Sequence, residues 1–314
     1  MKRFRLISDQ TNLDFMRRRL VFFAFSAVLG IASIGLYFTN GLNFGIDFAG
    51  GTMIEVQTPG AADLGGMRRS LGELGLGEVQ LQEFGADNDV LIRVEEQPGG
   101  AEAQNAVVLL IKDHLSETLG TGIDFRRTEF VGPKVGAELI QAGIMAVVFS
   151  VLAMLIFIWF RFELPFGIGS VIALVHDVVV TIGMFALIGL EFNLSTVAAL
   201  LLIVGYSMND TVVVYDRVRE NLRKYKSRTL PEILNRSVND TLSRTVVTSG
   251  TTLLALAALF IFGGEVIRGF CFAMIWGILV GTYSSIFIAA PFLIYLGLRP
   301  ASREDETEEG AKPS

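Results

Sequence analysis

Long runs of apolar residues, separated by short polar stretches, dominate the sequence. A helix that crosses a bilayer needs roughly 20 apolar residues, and we identify six runs close to that length. They cover residues 20–38, 139–159, 165–190, 192–215, 245–262 and 269–298. The pattern predicts an α-helical polytopic membrane protein with six transmembrane helices.

The composition agrees with a membrane protein, since 51% of the 314 residues are hydrophobic and only 18% are charged. One cysteine cannot form an internal disulfide, and the two histidines, His114 and His176, are far apart in the chain. The glycine-rich phosphate-binding motifs of nucleotide enzymes are absent. We therefore expect no metal, no cofactor, no nucleic-acid partner and no enzymatic chemistry.

The first apolar run follows three arginines, Arg17 to Arg19, as the apolar region of a signal peptide also does. It is longer than the usual apolar region of a signal peptide, roughly 7 to 15 residues, and no small-x-small cleavage site precedes the polar segment. We interpret it as an uncleaved anchor.

The positions of lysine and arginine predict the orientation. Most of the 26 basic residues lie in residues 1–19, in residues 216–244 or after the last run, and such residues are enriched on the cytoplasmic side. Both termini are then cytoplasmic, residues 136–298 form helices two to six, and the acidic domain at 40–135 lies outside. The acidic tail, residues 299–314, is expected to be disordered.

Residues 40–135 change to the pattern of a soluble α+β domain. Apolar and polar residues alternate as in strands at 52–58, 78–84, 89–95 and 123–131, and helical periodicity appears at 61–74 and 101–119. The order β-α-β-β-α-β predicts a ferredoxin-like domain. Within it we interpret His114 as a surface histidine and Asp87 to Asp89 as a hairpin turn.

Polar residues interrupt the fourth and fifth runs, where an ionisable group costs several kcal/mol unless it is paired or hydrated. Helical spacing places Ser207, Asp210 and Thr211 on one face of the fourth run, beside Asn209. Another polar face follows at the start of the fifth run, formed by Arg244, Thr248 and Thr251.

Asp210 lies roughly 9 Å of helix from the predicted cytoplasmic surface, the side on which Arg244 begins the returning span. The two side chains could therefore meet, but the sequence leaves open whether they touch. Burial favours a protonated carboxyl and a nearby guanidinium favours the ionised form, so a change in their separation would load and release a proton. A fixed ion pair between two helices is the alternative, although the surrounding polar residues favour a hydrated route.

Two further features lie in the other spans. His176 and Asp177 fall near the bilayer centre, where Asp177 needs a proton or a hydrogen bond, for which Thr181 is the candidate partner. A proton relay and a structural polar cluster both remain open for this pair. Gly277 and Gly281, spaced as small-x-x-x-small, favour helix packing over conduction.

The basic and apolar residues of segment 216–240 alternate as in an amphipathic helix. We predict that this helix lies on anionic lipid at the cytoplasmic surface, with partner docking as the alternative.

Several motifs occur in a fixed order over residues 12–298. They are GIDFAGGT at 45–52, VGPKVG at 131–136, ALVHD at 173–177, GYSMNDT at 205–211 followed by YDRVREN at 215–221, and TLSRT at 241–245 followed by TSGTT at 248–252. Together they resemble the SecF branch of the SecD/SecF family, within the resistance-nodulation-division superfamily. The double glycine at 50–51 is interpreted as a turn from helix to strand.

This resemblance implies half of a resistance-nodulation-division type membrane assembly in the bacterial inner membrane, with a periplasmic domain at 40–135. The implied partners are SecD, the SecYEG translocon, YajC, the translocating preprotein and, indirectly, SecA, besides membrane lipid. The implied activity is late preprotein translocation driven by the proton motive force, with protons as the coupling ion and with Asp210 and Arg244 as the proton-pathway residues.

Two other functions remain open at this stage. One is half of a proton-coupled exporter for small molecules or lipids, and the other is a structural translocon subunit that conducts no protons. An intramembrane protease is excluded because the sequence contains neither GxGD nor HExxH.

Overall fold

The computed structural model describes residues 11–77, 79–120 and 122–298. The predicted tail at 299–314 and residues 1–10 of the predicted N-terminal segment lie outside that range. Six helices of the described chain are long and apolar enough to cross a membrane, and a small sheet follows the first of them. The predicted fold class is confirmed.

The elements follow one another in a simple order, with the sheet domain inserted between the first two long helices. They are α1 (Arg19–Asn40), β1 (Asn43–Phe44), α2 (Ile46–Ala49), β2 (Gly51–Gln57), α3 (Leu64–Gly72), β3 (Val79–Phe84), β4 (Ala86–Val94), α4 (Gly100–Leu119), β5 (Asp124–Val131), α5 (Pro133–Arg161), α6 (Leu164–Ile188), β6 (Glu191–Phe192), α7 (Leu194–Lys224), α8 (Leu230–Phe262), α9 (Glu265–Ser284), a π-helical segment (Ser285–Ala289) and α10 (Ala290–Phe292).

The α/β domain, residues 51–131, has a four-stranded antiparallel sheet in the order β3-β4-β2-β5. This is the order of the predicted ferredoxin-like β-α-β-β-α-β unit. Alternate residues of β2, Ile54 and Val56, are fully buried against Ile111 and Leu115 of α4. The domain thus has its own apolar core, separate from that of the long helices.

Two local predictions in this domain were wrong. The hairpin turn lies at Gly85, whose φ of 95° suits glycine, so Asp87 to Asp89 belong to strand β4. His114 is half-buried rather than a free surface residue, because its Nε2 lies 2.5 Å from the Ser70 hydroxyl on α3. A polar partner on a neighbouring helix cannot be seen from helical periodicity alone.

The long helices form a bundle with α6, α7 and α9 at its centre. Spans α6, α7 and Ile267–Phe292, of which α9 is the main part, bury 44%, 56% and 61% of their most apolar stretch, against 11%, 6% and 17% for α1, α5 and α8. Glycines allow α9 to approach α7, since a Cβ at Gly277 would collide with Ile203 and one at Gly281 would lie 3.0 Å from the Ser207 Cβ. The predicted packing role of both glycines is confirmed.

Segment 216–240 is not a separate interfacial helix, so that prediction was wrong. Its first part continues α7 to Lys224, and its second part begins α8 at Leu230 after a capping box formed by Thr229 and Glu232. The apolar residues Val218, Leu234 and Val238 are at most 1% exposed. The amphipathic pattern therefore reflects two helix ends that pack within the bundle instead of on lipid.

Candidate functional site

Asp177 on α6 is completely buried where three helices meet. Its Oδ2 accepts hydrogen bonds of 2.7 Å from the hydroxyls of Ser207 on α7 and Ser284 on α9. Its Oδ1 lies 3.0 Å from His176 Nδ1. A single carboxylate therefore connects the three central helices.

The predicted partner of Asp177 was wrong. The hydroxyl of Thr181 donates to the backbone carbonyl of Asp177 at 2.7 Å and does not reach the carboxylate. A threonine four residues further along a helix meets that carbonyl by geometry. His176 turns its ring toward Tyr283, with 6.3 Å between ring centroids, and its buried Nε2 has no hydrogen-bond partner among the described residues.

Asp210 forms a second buried polar centre on the same face of α7, three residues beyond Ser207. It is 7% exposed, and its Oδ1 accepts a 2.6 Å hydrogen bond from the hydroxyl of Thr245 on α8. Its Oδ2 is buried without a hydrogen-bond partner in the described chain. The two carboxylates are thus linked through one face of α7, with Asp177 bound at Ser207 and Asp210 one turn away.

Arg244 is exposed and makes no ion pair with Asp210 in the described structure, which answers a question that the sequence left open. Consecutive helical residues point about 100° apart, and the buried neighbour, Thr245, occupies the side of α8 that faces Asp210. Arg244 is nevertheless the residue next to Thr245, whose hydroxyl bonds to Asp210.

The other predicted lining residues divide into two groups. Ser207 and Thr211 are buried, and the Thr211 hydroxyl lies 3.1 Å from that of Ser285. Asn209, Thr248 and Thr251 are exposed on the outside of this chain, so their role in lining a path stays a prediction. The hydroxyls of Thr248 and Thr251 donate to carbonyls of their own helix at 3.0 and 2.9 Å.

The sequence interpretation missed the contribution of the last span. Ser284 binds Asp177, Ser285 lies against Thr211, and the π-helical segment begins at Ser285. Single π-helical turns inside α-helices are found frequently at functional sites. The unusual polar run at 282–285, inside an otherwise apolar stretch, was the signal that could have found them.

The N-terminus of α7 is fastened to the segment that leads into the α/β domain. Strands β1 and β6 pair in parallel, and Asp47 Oδ2 accepts a 2.9 Å hydrogen bond from the backbone amide of Leu194, the first residue of α7. Arg93 of β4 forms an ion pair with Glu191 of β6. We call this group of contacts, made by Asp47, Arg93, Glu191 and Leu194, the joint.

Burial raises the pKa of Glu191 in the joint. The guanidinium of Arg93 opposes this rise, whereas the negative charges of Asp47 and Glu129 add to it. The joint therefore contains a carboxyl that is held outside its usual titration range by its surroundings.

Comparisons with known proteins identify families and structures that this chain is similar to. The family model for the protein export membrane protein SecD/SecF, C-terminal, matches residues 111–299, and the model for the SecD/SecF GG motif matches residues 38–58. The second match covers the short helix that carries Asp47 and the glycines that follow it. The first covers both buried carboxylates.

Relatives named protein translocase subunit SecF match nearly the whole chain. The protein from Rickettsia felis is 49% identical over 96% of this chain and 97% of its own length, and that from Rickettsia rickettsii is 51% identical over 92% and 93%.

Two solved structures are also similar. That of SecDF from Thermus thermophilus, a translocon-associated membrane protein, is 35% identical with a TM-score of 0.83 and covers 93% of this chain. SecDF in a super-membrane-facing form is 34% identical with a TM-score of 0.68 over 97% of this chain. The chain spans about two fifths of each SecDF chain, 39% and 40%. By the family model and by its full-length relatives, the chain belongs to the SecD/SecF family of protein export membrane proteins.

Proposed function

We propose that this chain is the SecF half of a SecDF-type translocase and that it uses proton movement through its helix bundle to drive late translocation of preproteins. The observation that carries the proposal is the pair of buried carboxylates, Asp177 and Asp210, on neighbouring central helices. Buried ionisable groups in a membrane bundle are costly and mark proton or ion pathways. No covalent chemistry is proposed.

The hydrogen bonds around the carboxylates favour a role in proton exchange over a role as a fixed structural latch. A fixed latch between two helices needs only one ion pair. Among the described residues, Asp210 has no ion pair and keeps one buried oxygen without a partner. Asp177 is surrounded by two serine hydroxyls and a histidine, groups that can both donate and accept hydrogen bonds. Protonation of either carboxyl would change which of these hydrogen bonds can form.

Helix α7 offers a mechanical route from this site to the α/β domain. It carries Ser207 and Asp210 near its middle, and the joint holds its first residue to the segment beside the domain. Because a helix is stiff, a shift of α7 on proton binding would also displace the α/β domain. At about 2.3 kcal/mol per charge per 100 mV, one proton supplies enough free energy to bias two arrangements of similar stability.

The exposed polar residues support a partner in the membrane. Arg244, Asn209, Thr248 and Thr251 would face lipid if this chain stood alone, and a charged side chain in lipid costs roughly 2.5 kcal/mol or more. We infer that they face the SecD half of the assembly, where Arg244 would be close enough to pair with Asp210 in another arrangement. Further proposed partners are SecYEG, YajC and the preprotein.

The proposed setting follows the basic residues of the sequence. We propose the bacterial inner membrane, with both termini cytoplasmic and the α/β domain in the periplasm, where a translocating preprotein emerges. Cysteine labelling of Gly60→Cys, in a loop of the α/β domain, against Ser227→Cys, in the turn between α7 and α8, tests this orientation. The membrane-impermeant reagent should label only the first variant in intact cells whose outer membrane is opened.

Preprotein import into inverted inner-membrane vesicles that contain this chain and its SecD partner tests the proton coupling. Asp210→Asn and Asp177→Asn should each abolish the stimulation of translocation by a proton gradient and leave ATP-driven entry intact. Asp216→Asn is the matched control, because it removes a carboxylate from the same helix at an exposed ion pair with Arg161. Normal stimulation in both buried variants would favour the purely structural subunit.

A further inference from the structure

Residues 11–16, which precede α1 and which we call the lead-in segment, are bound to the first part of α8. Asn239 of α8 holds the backbone of Leu13 by two hydrogen bonds. Its Oδ1 accepts from the Leu13 amide at 2.9 Å, and its Nδ2 donates to the Leu13 carbonyl at 2.8 Å. Asn235, one helical turn earlier, accepts from the amide of Phe15 at 2.8 Å. Two asparagines of α8 thus bind alternate residues of one segment.

The spacing of these contacts matches that of an extended chain on a helix. Four residues of α-helix advance about 6 Å, and two residues of extended chain advance about 6.6 Å. Asn235 and Asn239 therefore meet Phe15 and Leu13 in register. Because both asparagines bind backbone groups, the contacts do not depend on the side chain of Leu13, which is 53% exposed.

Asn239 is well supplied with hydrogen-bond partners. It is 8% exposed, and its Nδ2 also donates to the carbonyl of Asn235 at 2.8 Å. A buried amide that loses a partner is left with an unsatisfied polar group, which is costly. Asn239 therefore holds the lead-in segment and α8 in one fixed relation.

The lead-in segment is also anchored in the bundle. Met16 is 3% exposed and belongs to the apolar core of the long helices. The ring of Phe15 lies edge-on to that of Phe287, with 5.7 Å between centroids. Phe287 belongs to the π-helical segment, whose first residue, Ser285, lies against the polar face of α7. The lead-in segment thus links α8 to the last span next to the buried site.

Packing within this chain constrains the rotation of α8 only weakly. In the described structure 17% of its most apolar stretch is buried, whereas the central spans bury 44% or more. Yet α8 carries Thr245, which bonds to Asp210, and Arg244 beside it. Thr245 lies six residues, or about 9 Å, beyond Asn239 on the same continuous helix. A rotation of α8 at Asn239 is therefore carried to Thr245.

We propose that Asn239 and Asn235 are positioning residues of the proton site. Through the lead-in segment they hold α8 in the rotational setting in which Thr245, and not Arg244, faces Asp210. Release of the lead-in segment frees α8 to turn toward the setting that places Arg244 beside Asp210. The effect on translocation rests on the proposed function, whereas the hold on α8 is measured without it.

Disulfide crosslinking between α8 and α9 measures the rotational setting of α8. Ser249 lies one turn beyond Thr245 on the same face, and its hydroxyl is 2.8 Å from that of Thr282 on α9. We use the full-length chain in vesicles with its SecD partner, after replacement of its single cysteine by Cys271→Ala. The pair Ser249→Cys and Thr282→Cys should crosslink readily.

Loss of the asparagine should shift the crosslink to the neighbouring position. Asn239→Ala should slow the crosslink between positions 249 and 282 about fivefold, the factor expected for one lost hydrogen bond. It should speed up the crosslink of Thr248→Cys with Thr282→Cys, because Thr248 precedes Ser249 as Arg244 precedes Thr245. General destabilisation of the bundle would not exchange one pair for the other.

Substitutions in the lead-in segment test the same contact without altering α8. Leu13→Pro removes the backbone amide that donates to Asn239, and Leu13→Ala keeps it. The proline variant should change both crosslinks as Asn239→Ala does, whereas the alanine variant should behave as the wild type. This pair of variants decides the question if Asn239→Ala does not fold.

Preprotein import into the same vesicles tests the consequence for coupling. Asn239→Ala and Leu13→Pro should reduce the gradient-stimulated part of translocation and leave ATP-driven entry intact. Unchanged crosslinks in both variants overturn the positioning role. Changed crosslinks with normal gradient stimulation, where Asp210→Asn abolishes that stimulation, overturn the link to the proton site. Changed crosslinks where Asp210→Asn has no effect would refute the proposed function and still support the hold on α8.

Discussion

The hydroxyl of Thr245 donates a 2.6 Å hydrogen bond to Asp210 Oδ1, while Asp210 Oδ2 remains buried without a partner in the described chain. Thr245 is therefore the group that holds this carboxyl in place. Because Arg244 precedes it on α8, a rotation of that helix by about 100° would exchange the hydroxyl for the guanidinium.

We predict that Thr245→Val lowers the stability of the protein by about 0.5–2 kcal/mol, as the loss of an interhelical hydrogen bond within a membrane does. It should also impair the gradient-stimulated part of translocation. Thermal unfolding in detergent and vesicle import measure the two effects. Thr245→Ser keeps the donor and should restore both.

Thr248→Val is the control for this prediction, because the exposed Thr248 hydroxyl donates only to its own helix. It should change stability by less than about 0.5 kcal/mol. Equal effects of Thr245→Val and Thr248→Val would contradict the assigned role of Thr245.

The side chain of Asp177 has two separate roles. Its oxygen accepts hydrogen bonds that stabilise the bundle, and its titratable proton serves the coupling of proton movement to translocation. Asp177→Asn keeps a carbonyl oxygen for Ser207 or Ser284. Asp177→Ala removes the carboxylate acceptor of both hydroxyls and leaves Ser284 only the Gly281 carbonyl at 3.1 Å. We predict that the alanine variant is less stable than the asparagine variant by about 1–3 kcal/mol. Thermal unfolding of the two variants gives this difference directly, and a value near zero would show that the hydroxyls find other partners.

Much of the fold could be predicted because it depends on local patterns. Six apolar runs, the alternation of the strands and the small-residue spacing at Gly277 and Gly281 are visible in the sequence, and each has one physical explanation. Helix boundaries were less accurate, since polar ends such as those of α7 and α8 continue as helices when they pack together.

The site was predicted less completely, because its contacts join distant segments. Helical spacing correctly placed Ser207, Asp210 and Thr211 on one buried face. It could not decide between Arg244 and Thr245 as the neighbour of Asp210, since one residue of helix rotation separates them. The polar run that contains Ser284 was visible in the sequence, but its bond to Asp177 depends on how closely α9 approaches α6 and α7.

Gly277 controls that approach. We predict that Gly277→Ala lowers stability by about 1–3 kcal/mol, because the added Cβ collides with Ile203 and forces α9 away from α7. Gly250→Ala is the matched control, since nothing lies within 4 Å of the added Cβ and alanine favours the helix. The two substitutions should change the free energy of unfolding in opposite directions. A similar change in both variants would contradict the proposed close packing.

Asp47 ties α7 to the segment beside the α/β domain. We predict that Asp47→Ala costs about 0.5–2 kcal/mol of stability, as loss of a helix cap does, and that it reduces gradient-stimulated translocation. Asp47→Asn keeps an acceptor for the Leu194 amide and should retain most of the stability and most of the gradient-stimulated translocation.

The control for Asp47 is Asp63→Ala, which removes a cap from α3, where Asp63 accepts from the Gly66 amide at 2.9 Å. It should lower the stability of the α/β domain by a similar amount without a specific loss of coupling. If Asp47→Ala and Asp63→Ala each lose gradient-stimulated translocation in proportion to their loss of stability, Asp47 acts only through folding.

The joint should also respond to pH through Glu191, whose pKa is raised above its ordinary value of 4.5 by burial. Between that value and the raised pKa, the unfolded chain is ionised at this position while the folded protein still holds a proton. Stability is therefore gained as pH falls through this window and lost as pH rises through it. Glu191→Gln should lack this part of the pH dependence, whereas Glu163→Gln, at an exposed carboxylate, should keep it. Thermal unfolding of wild type and both variants across the window gives the comparison, and an unchanged pH profile in Glu191→Gln would show that another group in the joint titrates instead.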